Sequence, residues 1–162
     1  MKNTLLIIVL LFALSVWEIL ISPAVRIFGV TPNLPVVILV FLGLFRGQTP
    51  AVIFAFLWGI IADSPSPEIL GWNGLILILI GAGIGFFRTH FNWDNIGSQI
   101  LLAFFAVFVH STLYFLVTNI GDPGRVLYIM WRYSLASAVY SAAAAFVLSF
   151  LLQTAGAKTM ED

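Results

Sequence analysis

Residues 95–121 read NIGSQILLAFFAVFVHSTLYFLVTNIG, 27 residues without a charged side chain. A helix needs roughly 20 mostly apolar residues to cross the hydrocarbon core of a bilayer, within a range of about 17–25. This run is long enough by itself, and it is not alone. Uncharged windows also cover residues 3–17, 27–45, 47–62, 69–87 and 133–157. The two shortest reach spanning length when their end charges sit at the interface. Only 7 basic and 7 acidic residues punctuate the 162, and 61% of the chain is hydrophobic, with a mean hydropathy of +1.08. At 9% charged residues, against about 25% in globular domains, the chain cannot solvate a water-facing surface. The expectation is an all-α integral membrane protein: one membrane domain over 1–162, a compact bundle of six transmembrane helices. A self-contained aqueous enzyme is excluded, and the zero net charge offers no field for nucleic acid.

The residues between the windows act as helix punctuation and place the spans at about 4–21, 33–46, 49–63, 69–87, 97–119 and 127–153. Ser22-Pro23 stops the first. Thr31-Pro32-Asn33 precedes the second, with Pro35 in its first turn, where a missing N–H does no harm. Thr49 and Pro50 suit the start of the third. Asp94 is the expected cap of the fifth, and Gly156 the expected stop of the sixth. Lys2 before an apolar run resembles a signal peptide, but Glu18 interrupts the run, so it reads as a retained span. With six spans, Lys2, Arg46, Arg88 and Lys158 share one side, while Arg26, Arg125 and Arg132 lie on or near the other. The positive-inside rule then puts both termini in the cytoplasm. Trp17, Trp58, Trp72 and Trp131 fall at the outer ends of their spans and mark the outer interface, with Trp93 inside.

Few side chains can carry chemistry. Glu18 and Arg132 lie about one turn inside the outer ends of the first and last spans, at similar depth, and are expected to pair. Such a pair either clamps the two helices or leaves one charge for a partner subunit. His110 is isolated near the middle of the fifth span, so it reads as a neutral histidine hydrogen-bonded within the bundle rather than a metal ligand. Asp63 and Glu68 read as solvated acids of an outer, proline-rich turn. No catalytic string, metal set or cofactor site is expected, and the absence of cysteine excludes thiolate chemistry. Gly81 and Gly85 have the spacing that lets helices approach closely, and Ser137, Ser141, Ala145 and Ser149 recur every four residues. Packing within the monomer explains such a stripe. The Ser137/Ser141/Ala145 face is nonetheless the first candidate for contact with another chain, a second copy included. The outer loop Asp63–Asn73, with Trp72, is the second.

The order of the loop motifs is distinctive. Thr31-Pro32-Asn33-Leu34 opens the second span and Arg46-Gly47 closes it; Trp58-Gly59-Ile60-Ile61-Ala62-Asp63 ends the third; Leu70-Gly71-Trp72-Asn73-Gly74-Leu75 starts the fourth. This succession, over about Thr31–Gly85, resembles the bacterial rod shape-determining MreD family. There a Pro-Asp/Asn-Leu entry is followed by Arg-Gly, a Gly-Leu-x-x-Asp ending and a Leu-Gly re-entry. The chain departs from that pattern at Asn33, where Asp is common, and at Ile60-Ile61-Ala62 before the acid.

The resemblance implies a non-enzymatic membrane subunit of the cell-elongation machinery. Its partners would be an MreC-like single-span protein and, through it, the RodA glycosyltransferase and its transpeptidase, in coordination with the actin-like MreB. The family is also similar in fold to the substrate-binding subunits of energy-coupling-factor vitamin transporters. That similarity implies an outward-facing cavity and supplies the alternative function. Against it, the first helix lacks the Ala-x-x-x-Ala pair of those subunits, Ala13 being followed by Trp17. Few polar groups are expected to converge at one depth, as a vitamin pocket requires.

Overall fold

The computed structural model describes residues 2–27, 29–65, 70–88, 95–119, 124, 128 and 130–158. Among them the chain forms six helices and no strand: α1 (Lys2–Val16), α2 (Leu34–Arg46), α3 (Gln48–Asp63), α4 (Trp72–Phe87), α5 (Ile96–Thr118) and α6 (Leu135–Lys158). A π-helical turn, Trp17–Ile21, extends α1, and another, Met130–Ser134, leads into α6. Three stretches are long and apolar enough to cross a membrane: Thr4–Ile21, Ile96–Thr118 and Trp131–Thr154. The other three helices have 13, 16 and 16 residues. At 1.5 Å per residue they reach only about 20–24 Å, less than the roughly 30 Å hydrocarbon core.

The shortest helix is the central one. Val36, Val37, Leu39, Val40, Phe41, Leu42, Gly43 and Leu44 are all buried, so α2 has no solvent or lipid face along most of its length. It is packed by α3, α4, α5 and α6, and more lightly by α1. The outer helices instead expose large apolar side chains, such as Ile8 and Phe12 on α1, Phe56 on α3, Leu79 on α4, Phe105 on α5 and Phe146 on α6. An apolar exterior around a helical bundle is the surface a bilayer requires. The chain is a membrane protein.

Glycine sets the close contacts. A Cβ at Gly85 would lie 2.5 Å from Gln48 Cβ, and one at Gly81 would lie 3.3 Å from Leu39 Cδ1. The Gly81/Gly85 stripe is therefore spent within the monomer, as small-residue stripes in lipid commonly are. Gly47 alone separates α2 from α3, at φ +96° and ψ 179°, a region open essentially to glycine. A Gly47→Ala variant is expected to lose about 1–3 kcal/mol, since its Cβ would also press on Arg88 Nη1 at 3.1 Å. A lower temperature of loss of the monodisperse peak in detergent gel filtration is the check.

Helix ends depart from expectation in three places, the first at Gly47, which rather than Thr49 is the N-cap residue of α3. Asn95, not Asp94, caps α5, its side chain accepting from the Gly97 N–H at 2.8 Å; Asp94 lies outside the described residues. α6 does not stop at Gly156 but continues to Lys158. Trp58 is not an interfacial anchor: it is 5% exposed and faces inward, whereas Trp72 and Trp131 are 46% and 66% exposed. Trp93 lies outside the described residues.

Candidate functional site

The end of the bundle where α1, α3 and α5 finish and α2, α4 and α6 begin holds a cavity of about 580 Å³. Its existence follows from helix length. The central α2 begins only at Leu34, so the space above its first turn is left for the segment before it, Gly29–Asn33, and for side chains of the surrounding helices. That segment is a turn in which Ile27 and Val30 exchange backbone hydrogen bonds of 3.0 and 2.9 Å, with Gly29 at φ +84°. Two side chains of α6 tie down the link between α1 and α2: Ser137 Oγ donates to Thr31 O at 3.3 Å, and Tyr140 Oη to Val25 O at 3.1 Å.

Beneath the cavity runs one chain of hydrogen bonds through five helices. Asn33 is the α2 N-cap, its Oδ1 accepting from the Val36 N–H at 3.3 Å. Its own N–H donates to Ser141 Oγ on α6 at 2.8 Å. Because Oδ1 is engaged as an acceptor, Nδ2 is the group that faces His110, and it donates to Nδ1 at 3.2 Å. His110 Nδ1 must then be unprotonated, and Nε2–H donates to Asn73 Oδ1 at 2.7 Å. The Asn73 N–H donates to Asp63 Oδ2 at 3.2 Å, and the Gly71 N–H donates to the same oxygen at 2.8 Å. His110 is thus the neutral, bundle-bonded histidine expected of a lone imidazole in a span, and Tyr114 stacks on it at 6.3 Å between ring centroids.

Two readings from the sequence are corrected here. Asp63 is not a solvated loop acid: it is 2% exposed and caps the start of α4 by accepting two backbone N–H groups. Glu68 lies outside the described residues. The Ser137/Ser141/Ala145 face is not an open partner surface either. Ser141 and Ala145 are 0% exposed, packed between α6 and its neighbours, and Ser137 is half-buried against Thr31. A stripe of small residues shows that something approaches closely, and here it is the chain itself. Of the second candidate surface, Ser64, Pro65, Leu70, Gly71 and Trp72 are exposed among the described residues, whereas Asp63 is buried and Asn73 is half-buried and bonded to His110.

Glu18 and Arg132 do not pair. Glu18 lines the cavity, while Arg132 lies over the Tyr128 ring at 5.9 Å and borders a separate shallow hollow with Trp131 and Val139. Similar distance from the span ends does not bring them together, since they border different hollows. The scarcity of converging polar groups is also corrected: Ser15, Glu18, Asn33, Asn73, His110 and Ser111 come from three helices (α1 with its extension, α4 and α5) and the segment before α2 to line one cavity. No single stretch of sequence contains more than two of them, so only the fold could reveal the convergence.

An expected result follows for Asp63. Asp63→Ala leaves the Gly71 and Asn73 N–H groups without their acceptor and should cost about 1–3 kcal/mol. Asp63→Asn keeps one acceptor oxygen and should cost less. Unfolding titrations in mixed micelles would rank the two.

The family model described as rod shape-determining protein MreD matches residues 1–155. No curated protein sequence and no solved structure matches the chain. The three motifs that supply Asn33, Asp63 and Asn73 to the hydrogen-bonded chain fall inside the matched range. This protein belongs to the rod shape-determining protein MreD family.

Proposed function

We propose that the protein is a six-span, non-enzymatic scaffold of the bacterial cytoplasmic membrane, both termini in the cytoplasm, in the complex that elongates rod-shaped cells. It holds an MreC-like single-span protein and, through it, a RodA-type glycosyltransferase and its transpeptidase, so that lateral-wall peptidoglycan is made in the right place. The observation that carries this reading is the family match over almost the whole chain. The chemistry agrees with it: Asn33, Asp63, Asn73 and Ser141 are all engaged in holding helices together. In this reading the three short helices span with the help of the longer ones, the cavity faces the periplasm, and Arg46 and Arg88 face the cytoplasm.

With Ser141 and Ala145 inside the monomer, partner spans dock on the outward faces of the bundle. α1 is the most available helix: among its described side chains only Ile7 and Leu14 are deeply buried, while Leu5, Ile8 and Phe12 point outward. Depletion should turn rods into spheres, and the tagged chain should copurify with an MreC-like protein. Rods that survive depletion, together with no such copurification, would reject the proposal. Reporter fusions at the C-terminus test the orientation: fluorescence of a cytoplasm-dependent reporter supports it, and activity of a periplasm-dependent one reverses it.

The cavity favours a second reading, a substrate-binding subunit of an energy-coupling-factor-type vitamin transporter. It has the volume range of small-molecule sites, about 300–1,000 Å³, and carries polar groups from several helices. Stoichiometric copurification of a vitamin would favour this reading over the scaffold.

A further inference from the structure

We propose that the cavity above α2 binds an organic ammonium ion, with Glu18 as its counter-charge. Three observations carry this. Among the described lining residues Glu18 is the only charged side chain; no lysine or arginine joins it. It lies in the last turn of the Thr4–Ile21 span, its side chain is exposed, and it has no hydrogen-bond or ion-pair partner among the described residues. An unpaired ionisable group within a span and facing a cavity is a functional position by default.

The donors that would suit an anion are already used. At the start of α2 the Leu34 N–H is taken by Pro32 O, the Val36 N–H by Asn33 Oδ1 and the Asn33 N–H by Ser141, while Pro35 has none. At the start of α4 the Gly71 and Asn73 N–H groups are taken by Asp63. Helix starts normally attract anions through free N–H groups; these two offer none from those positions.

The walls suit a cation on an apolar body. Trp58, Tyr114, Phe115 and Tyr133 line the same space as Glu18. Aromatic rings around a carboxylate are the combination that holds ammonium groups, the rings by their negative faces and the carboxylate by charge. Imidazole adds no competing positive charge, because the bond from Asn33 leaves Nδ1 of His110 unprotonated. The ammonium could be carried by a soluble amine or by an aminophospholipid headgroup, and the chemistry of recognition is the same.

The test uses the full-length protein in an uncharged maltoside detergent, with calorimetric titration of 2-phenylethylammonium and, as a neutral counterpart, 2-phenylethanol. Saturable binding of the ammonium at least tenfold tighter than the alcohol is expected. Glu18→Gln should weaken the ammonium at least tenfold and leave the alcohol unchanged, while Glu18→Asp, which keeps the charge, retains most of the affinity. Ala62→Trp, which fills the cavity, should remove both. Equal affinity for the two probes, or undiminished ammonium binding by a monodisperse Glu18→Gln variant, would overturn the proposal. Displacement of the probe by short-chain phosphatidylethanolamine assigns the natural ammonium to a lipid, and its persistence assigns it to a soluble amine; either result keeps the site. Failure of binding would leave the scaffold reading intact, because cell shape and copurification report on that separately.

Discussion

Replacing His110 by leucine should destabilise the folded protein by about 1–3 kcal/mol. The imidazole is the middle link between α2, α4 and α5: it accepts from Asn33 Nδ2 and donates to Asn73 Oδ1. Leucine fills much the same volume but strands one donor and one acceptor. Interhelical hydrogen bonds in lipid are worth less than this when measured singly, about 0.6 kcal/mol on average. Here two are lost at once, and both stranded amides are anchored by further bonds, Asn33 to Val36 and Ser141, Asn73 to Asp63 through its own N–H. Both also line the cavity, where water can reach them, which keeps the loss from growing larger. His110→Gln is the informative companion. Its side chain presents one acceptor and one donor, so it should recover part of the stability that leucine loses. If leucine and glutamine unfold at the same denaturant fraction, the histidine matters for packing alone and the hydrogen-bonded chain is energetically idle.

The elements of that chain were legible singly. Uncharged windows located the helices, Asn33 stood at the expected start of the second span, and a lone His110 in a span had to find an internal partner. What could not be read was the tertiary bonding. Asn33 and Ser141 are 108 residues apart, Asn33 and His110 77 apart, and no periodicity relates them. Asp63 misled because proline-rich surroundings suggest solvent, whereas the carboxylate folds back to cap the following helix. Ser141 and Ala145 misled for a different reason. A small-residue face says that a backbone comes near without saying whose, and composition alone cannot separate a neighbour in the same chain from a partner.

The motifs that carry the family resemblance have a structural meaning in this arrangement. The Pro-Asn-Leu entry supplies Asn33, the acid that ends α3 supplies Asp63, and the Leu-Gly-Trp-Asn re-entry supplies Asn73, while Arg-Gly supplies the one-residue turn at Gly47. Asn33, Asp63 and Asn73 lie far apart along the sequence but act as one device, which fixes the starts of α2 and α4 against α5, while Gly47 turns the chain at the opposite end of α2. Such a device keeps the cavity end of the bundle rigid. A scaffold that orients periplasmic partners requires that rigidity, and so does a pocket that must keep its shape.

Gly59→Ala should be the most damaging glycine-to-alanine change among the described residues. α3 and α4 cross at Gly59 and Gly74, where a Cβ on Gly59 would lie 2.6 Å from Gly74 N and would also overlap Gly74 Cα. The obstructing atoms are backbone, so no rotamer change can relieve the clash, and the two helices must separate. Overpacking a well-filled interior costs typically about 1–3 kcal/mol, more when backbone has to move. The alternative site, Gly74→Ala, should be far milder, because a Cβ there comes no closer than 3.6 Å to Gly59. The asymmetry makes the test specific: equal losses would mean that the helices slide freely and that the crossing is not fixed. The consequence also reaches the cavity. Asp63 is four residues beyond Gly59 and Asn73 is adjacent to Gly74, so separating the helices pulls the carboxylate from the N–H groups it caps. Gly59→Ala should therefore weaken ammonium binding at Glu18 together with stability, although Glu18 lies on α1's extension and touches neither glycine. A variant that lowers the unfolding midpoint yet binds 2-phenylethylammonium normally would show that the α3–α4 crossing and the cavity are mechanically independent.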